Sequence, residues 1–172
     1  MRVRTSNTPR RPGRARHPRT LPDWRIEPPA PSEVLRGHYL EAEEAFDVPA
    51  EVLTAIHLIE TRFGRIHGDS HAGAQGPMQF MPSTWDAYGE GDVDDPRDAI
   101  LAAGRYLAAS GAPDDLEGAV FAYDRSDRYV EAVLAHAEAM ERHEHYLDVY
   151  HGWRVYYRTV DGDVLLQATD EG

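Results

Sequence analysis

Ile59-Glu60-Thr61-Arg62-Phe63-Gly64, followed by Gly73-Ala74-Gln75-Gly76-Pro77-Met78-Gln79-Phe80-Met81-Pro82, is the part of this chain whose residue types and spacing suit chemistry. One carboxylate stands at the end of an apolar run. Downstream of it, a glycine-punctuated turn carries an amide and a thioether. A single acid among apolar walls with a few polar anchors is the arrangement that general acid cleavage of a glycosidic bond requires. A position near the negative end of a helix dipole raises the pKa of such an acid, and burial raises it further, so that a proton is held near neutral pH.

The surrounding pattern supplies the elements that must hold this acid. Leu35, Tyr39, Ala42 and Phe46 recur at helical spacing behind Ser32, which is placed to cap. Val52, Leu53, Ile56 and Ile59 form an apolar face after Pro49, and Gly64 is placed to end that helix with a left-handed residue. Glu60 therefore falls in a last helical turn. A Gly-rich loop is expected over 67–81 and a short helix over 82–88. The next helix opens at Asp95-Pro96, and two more run over 115–123 and from Ser126 through Met140. The run from Trp153 to Val160 and the run from Asp163 to Gln167 flank Asp161-Gly162, a hairpin signal. The expected fold class is mainly α, with a short C-terminal β-hairpin. Its divisions are an Arg/Pro-rich disordered arm over 1–31, a helical domain over 32–150, and a hairpin and tail over 151–172.

Composition removes several function classes. Seven of the 18 basic residues lie in the first twenty positions, and all 30 acids follow them, so the body carries 11 bases against 30 acids, a charge of −19. Such a body repels nucleic acid. There is no cysteine, which excludes disulfides, thiolate metal sites and a Cys nucleophile. No apolar run reaches membrane-spanning length, so no integral membrane segment is expected. Arg10-Arg11 is a twin-Arg pair, but Pro12, Gly13, Arg14 and Arg16 follow where a signal peptide needs an apolar stretch, and none is recognisable. His136, His143, His145 and His151 match no common metal spacing, and His57 lacks the second histidine of a zinc protease helix. Glu90, Asp92, Asp94 and Asp95 lack the ligand pattern of a calcium loop, so no metal and no cofactor is expected.

Glu60-Thr61-Arg62-Phe63-Gly64, Ser70, the Gly73–Pro82 motif and Ala122-Tyr123-Asp124 are similar, in order and spacing, to the motifs of soluble lytic transglycosylases. The resemblance extends from about Val34 to Met140, and the Trp/Tyr-rich tail resembles that of actinobacterial stand-alone forms. It implies a lysozyme-like fold and cleavage of peptidoglycan glycan strands between N-acetylmuramic acid (MurNAc) and N-acetylglucosamine (GlcNAc), forming 1,6-anhydro-MurNAc. It also implies Glu60 as sole acid and base, with Ser70, Met78, Gln79 and Tyr123 about the substrate. The position after Tyr123 is Asn in most of the family and Asp124 here, where a negative charge would raise the pKa of Glu60. The expected partner is the glycan strand, the expected place of action extracytoplasmic, and the expected state monomeric.

Two rivals stand beside this reading. A hydrolytic enzyme like goose-type lysozyme needs a second acid to position water, for which Asp69, Asp86 and Asp124 are the candidates. A non-catalytic peptidoglycan-binding module would keep the groove without needing Glu60. Individual residues also have plainer readings: Ser70 as a turn stabiliser, Met78 and Phe80 as core, Tyr123 as part of an apolar helix stripe.

Overall fold

The computed structural model describes residues 24–143 and 145–167. Among the described residues, seven helices and two small antiparallel strand pairs follow one another as β1 (Arg25–Ile26), α1 (Ser32–Phe46), α2 (Ala50–Thr61), β2 (Ile66–His67), α3 (Pro82–Tyr88), α4 (Pro96–Ala109), α5 (Leu116–Tyr123), α6 (Asp127–Arg142), α7 (Tyr146–His151), β3 (Val155–Thr159) and β4 (Gly162–Leu166). The architecture is mainly α with a C-terminal hairpin, as the periodicities predict.

Helix α2 is the central element. Ala50, Val52 to Leu58 and Thr61 are all buried, because α1, α4 and α6 pack around it. Burying each of Val52, Leu53, Ile56 and Leu58 contributes about 1.5–3 kcal/mol, so the helix bearing Glu60 is held rigidly by its own core face. His57, on the same helix, is fully buried with its Nδ1 2.8 Å from the Tyr39 hydroxyl. Burial lowers its pKa to about 3, which keeps the ring neutral in the core.

The other helices begin where their caps dictate. Asp95 accepts hydrogen bonds from the backbone N–H groups of Arg97 and Asp98, with Pro96 in the first turn. Asp115 caps α5 and Ser126 caps α6 through their side chains. Ser32 does not cap α1: it is the first helical residue, and Pro31 holds the cap position without a side-chain bond. The left-handed cap of α2 is also not Gly64. Arg62 takes that conformation (φ 58°), and Phe63 (φ 64°) and Gly64 (φ 75°) continue it. The Arg62 guanidinium folds back to donate to the Leu58 carbonyl at 2.5 Å, so a side chain with five donors takes the part the sequence assigns to the glycine.

The ends of the chain depart from expectation in three places. Residues 25–31, expected to belong to the disordered arm, include an ordered strand, since Ile26 is buried and pairs with Ile66 across β1 and β2. An apolar residue with a strand partner has enough contact to order this stretch; residues 1–23 lie outside the described residues. Helix α7 lies in the histidine-rich stretch, where the periodicity predicts no helix. The hairpin reverses through Val160 and Asp161 rather than Asp161-Gly162, with Thr159 paired to Gly162. Thr159 Oγ1 fixes this register by accepting from the Asp161 N–H and donating to the Gly162 carbonyl.

The loop between β2 and α3 is tied down by a Gln75–Phe80 bridge that closes the Gly76-Pro77-Met78-Gln79 turn. Gly76 has φ 71°, and a Cβ there would lie 2.0 Å from the Val93 carbonyl oxygen, a backbone atom that cannot step aside. Gly76→Ala is therefore expected to destabilise the fold by about 3 kcal/mol or more. Thermal unfolding measures it, and an unchanged midpoint would show that this loop is free to move away from Val93.

Candidate active site

Glu60 is the penultimate residue of α2, half-buried where the helix meets the Gly76–Phe80 turn and the first turn of α6. The Tyr129 hydroxyl, arriving from α6, donates a hydrogen bond to Glu60 Oε1 at 2.5 Å. Burial is the largest influence on this carboxyl and raises its pKa. The Tyr129 hydrogen bond lowers it, the charge of Asp124 raises it again, and the balance stands at about 7. An acid so placed is protonated in a large fraction of molecules at neutral pH and can also lose its proton there. That suits a group that must first give and then take a proton.

The junction beside Glu60 is locked by the next residue. Buried Thr61 donates from Oγ1 to the Pro77 carbonyl at 2.6 Å and accepts from the Gly64 N–H at 2.9 Å. One hydroxyl thereby joins the end of α2 to the glycine-rich turn, which explains why the two motifs meet in space.

The expected neighbours take distinct positions. Tyr123, from the end of α5, has its pKa raised first by burial and then by the nearby charge of Glu60, and its hydroxyl donates to the Met78 carbonyl at 2.7 Å. Met78 is fully buried, so its side chain belongs to the core beneath the site rather than to an open wall. Gln79 has φ 52° and its Nε2 donates to the Gly76 carbonyl at 2.9 Å, leaving the amide oxygen for other contacts. Ser70 Oγ accepts from the Ala72 and Ala74 N–H groups at 3.2 and 3.0 Å, an internal turn bond that leaves its own hydrogen to donate. Asp124 follows α5 and is exposed; it reaches Glu60 through its charge.

Tyr123→Phe is expected to cost about 1–3 kcal/mol of stability, because the Met78 carbonyl loses the hydroxyl it pairs with. Denaturant unfolding of the variant measures this; a loss near zero would mean that water reaches the Met78 carbonyl.

Sequence reasoning missed Tyr129. Its spacing puts it on the apolar stripe of α6 with Val130, Val133 and Met140, and nothing local distinguishes it from them. The available signal was the hydroxyl itself: a tyrosine in the first turn of a helix otherwise lined by aliphatic residues needs a polar partner.

Comparison with known proteins places this geometry. The model of the transglycosylase SLT domain matches residues 38–145. No curated protein sequence matches the chain. Among solved structures, the Escherichia coli lytic transglycosylase Slt35 in complex with bulgecin A is similar with a TM-score of 0.59 at 16% identity, covering 64% of this chain and 71% of that one. SltB3 from Pseudomonas aeruginosa, in complex with NAG-anhNAM-pentapeptide, is similar with a TM-score of 0.53 at 14% identity, covering 69% and 68%. At these identities the structures speak for the fold, which is lysozyme-like. Since the family match spans more than half of its length, the chain belongs to the SLT family of lytic transglycosylases.

Proposed function

We propose that this peptidoglycan lytic transglycosylase uses Glu60 as its only acid and base and releases 1,6-anhydro-MurNAc ends. The observation that carries the proposal is a single half-buried carboxyl with a pKa of about 7, held on one oxygen by Tyr129. With Oε1 occupied by the Tyr129 hydroxyl, Oε2 is the oxygen left to carry the proton. Protonated Glu60 gives that proton to the glycosidic oxygen between MurNAc and GlcNAc as the bond to C1 breaks. The N-acetyl carbonyl oxygen of the same sugar stabilises the positive charge that develops at C1. Glu60, now ionised, removes the proton from the C6 hydroxyl as its oxygen bonds to C1. One carboxyl suffices, because the substrate supplies both the stabilising group and the nucleophile, an exception to the two-carboxylate scheme.

In this reading Tyr123 and Met78 shape the floor of the site, the free Gln79 amide oxygen and the Ser70 hydroxyl are available to the sugar substituents, and Asp124 tunes Glu60 by charge. Action on the wall places the protein outside the cytoplasm. No helix among the described residues is long and apolar enough to cross a membrane.

A second outcome is chemically open at the same site. Among the described residues, Asp124 is the one other carboxylate whose charge acts on Glu60, so hydrolysis would require it to orient a water. Mass spectrometry of digested sacculi separates the two. Anhydro ends are expected; reducing MurNAc ends that vanish in Asp124→Asn would assign hydrolysis instead.

A further inference from the structure

We propose that Trp153 is a sugar-stacking platform that holds the glycan strand beyond the catalytic carboxyl, an inference that rests on the glycan-strand reading above. Three rings form a ladder on and after α7. Tyr146 and Tyr150 stack at 4.4 Å with planes 20° apart, and Tyr150 and Trp153 follow at 4.2 Å and 31°. The inner end is fixed, since His136 Nδ1 lies 2.7 Å from the Tyr146 hydroxyl and its ring meets Tyr150 edge-on at 5.7 Å. The outer end is open: Trp153 remains 52% exposed although Tyr150 covers one of its faces. An indole held flat from behind and open in front has little freedom left to lose on binding.

The ladder and the acid share their supports. Arg65 donates to the His151 carbonyl at 2.8 Å and Phe63 stacks on the His151 ring, so the segment that leaves Glu60 fastens α7. His136, at the foot of the ladder, lies on α6, the helix that delivers Tyr129 to Glu60.

Packing does not account for the open ring. Val155 is buried, and Tyr157 meets Trp24 edge-on at 5.5 Å, so the hairpin covers the body with those residues and leaves Trp153 outside. Charge also favours a neutral contact. A chain of formal net charge −12 gains no long-range attraction to a polymer that carries carboxylates on its stem peptides. The apolar C–H face of a pyranose against an indole needs none.

The test titrates the full chain carrying Glu60→Gln, which cannot cut, against peptide-free glycan strands and against the same strands bearing stem peptides, with binding read by tryptophan fluorescence and co-sedimentation. Trp153→Ala in that background is expected to weaken both by about tenfold, the size of a good aromatic contact. Trp153→Phe is expected to retain most of the affinity and Trp153→Gln to lose it. Equal affinity of the Trp153→Gln chain and its Trp153 parent overturns the platform. So does a loss confined to peptide-bearing strands, which would assign the contact to the peptide. The Phe and Gln pair keeps the comparison valid should Trp153→Ala lower the melting temperature. Absence of cutting by the unmutated chain removes the catalytic reading but leaves the binding comparison decisive, whereas failure of the Glu60→Gln chain to bind either strand overturns the platform.

Discussion

Glu60→Gln is expected to lower strand cleavage by about a thousandfold or more while making the folded protein more stable above neutral pH. The amide keeps the shape of the carboxyl and its oxygen still accepts from Tyr129, but it can neither give nor take the proton. The gain in stability follows from the raised pKa. In the unfolded chain this carboxyl titrates near 4.5, and in the fold at about 7. Below 4.5 both states hold the proton and the group contributes no difference with pH. Between 4.5 and 7 the folded state binds more proton than the unfolded, so stability falls as pH rises, and above about 7 the whole loss has been taken. A separation of this size corresponds to about 3 kcal/mol. The substituted amide does not titrate, so the variant escapes this loss. Denaturant unfolding at about pH 4.5 and about pH 8.5, on either side of the titration, measures it: the parent is expected to lose stability across the interval relative to the variant. Parallel pH dependences would show that Glu60 is solvated and ionised in the fold, and would remove the ground for its role as an acid.

Much of this site is legible in the sequence, for reasons tied to particular residues. The position of Glu60 in a last helical turn follows from Val52, Leu53, Ile56 and Ile59 recurring at helical spacing between Pro49 and Gly64, a spacing that marks the helix even though packing buries more of α2 than that face. The caps at Asp95 and Ser126 are legible because each satisfies orphan N–H groups within its own first turn, whereas Asp115, expected as the first residue of its helix, is its cap. What escapes is whatever depends on a contact distant in sequence. Strand β1 exists because Ile26 finds Ile66. Tyr129 meets Glu60 across sixty-nine positions. The cap at Arg62 escapes differently. A glycine two residues later offers the usual solution, and only the fold-back of the guanidinium onto Leu58 shows that another was used. Met78 marks a limit of motif reasoning: resemblance assigns it to the site, but complete burial places its side chain below.

Tyr129→Phe is expected to produce opposite changes in two measured quantities, which separates a positioning role from a structural one. The hydroxyl donates to Glu60 Oε1, and a donor favours the ionised form of a carboxyl. Tyr129 thus opposes burial and the Asp124 charge, both of which raise the Glu60 pKa. Removing the hydroxyl leaves those two unopposed, and the pKa moves above 7. A general acid works only while protonated, so the alkaline limb of the kcat/KM profile is expected to move to higher pH. The maximum rate is expected to fall at the same time. Once Glu60 has given up its proton, the carboxylate needs the Tyr129 donor, and a hydrogen bond to a charged group is worth about 1.5–3 kcal/mol, or roughly ten- to a hundredfold in rate. Tyr123→Phe is the control, since its hydroxyl serves the Met78 carbonyl and not the carboxyl; it is expected to lower stability without moving the alkaline limb. A Tyr129→Phe enzyme that is slower with an unmoved alkaline limb would reduce Tyr129 to packing. One whose limb moves to lower pH would mean that the hydroxyl acts on the neutral acid, with Oε1 rather than Oε2 carrying the proton.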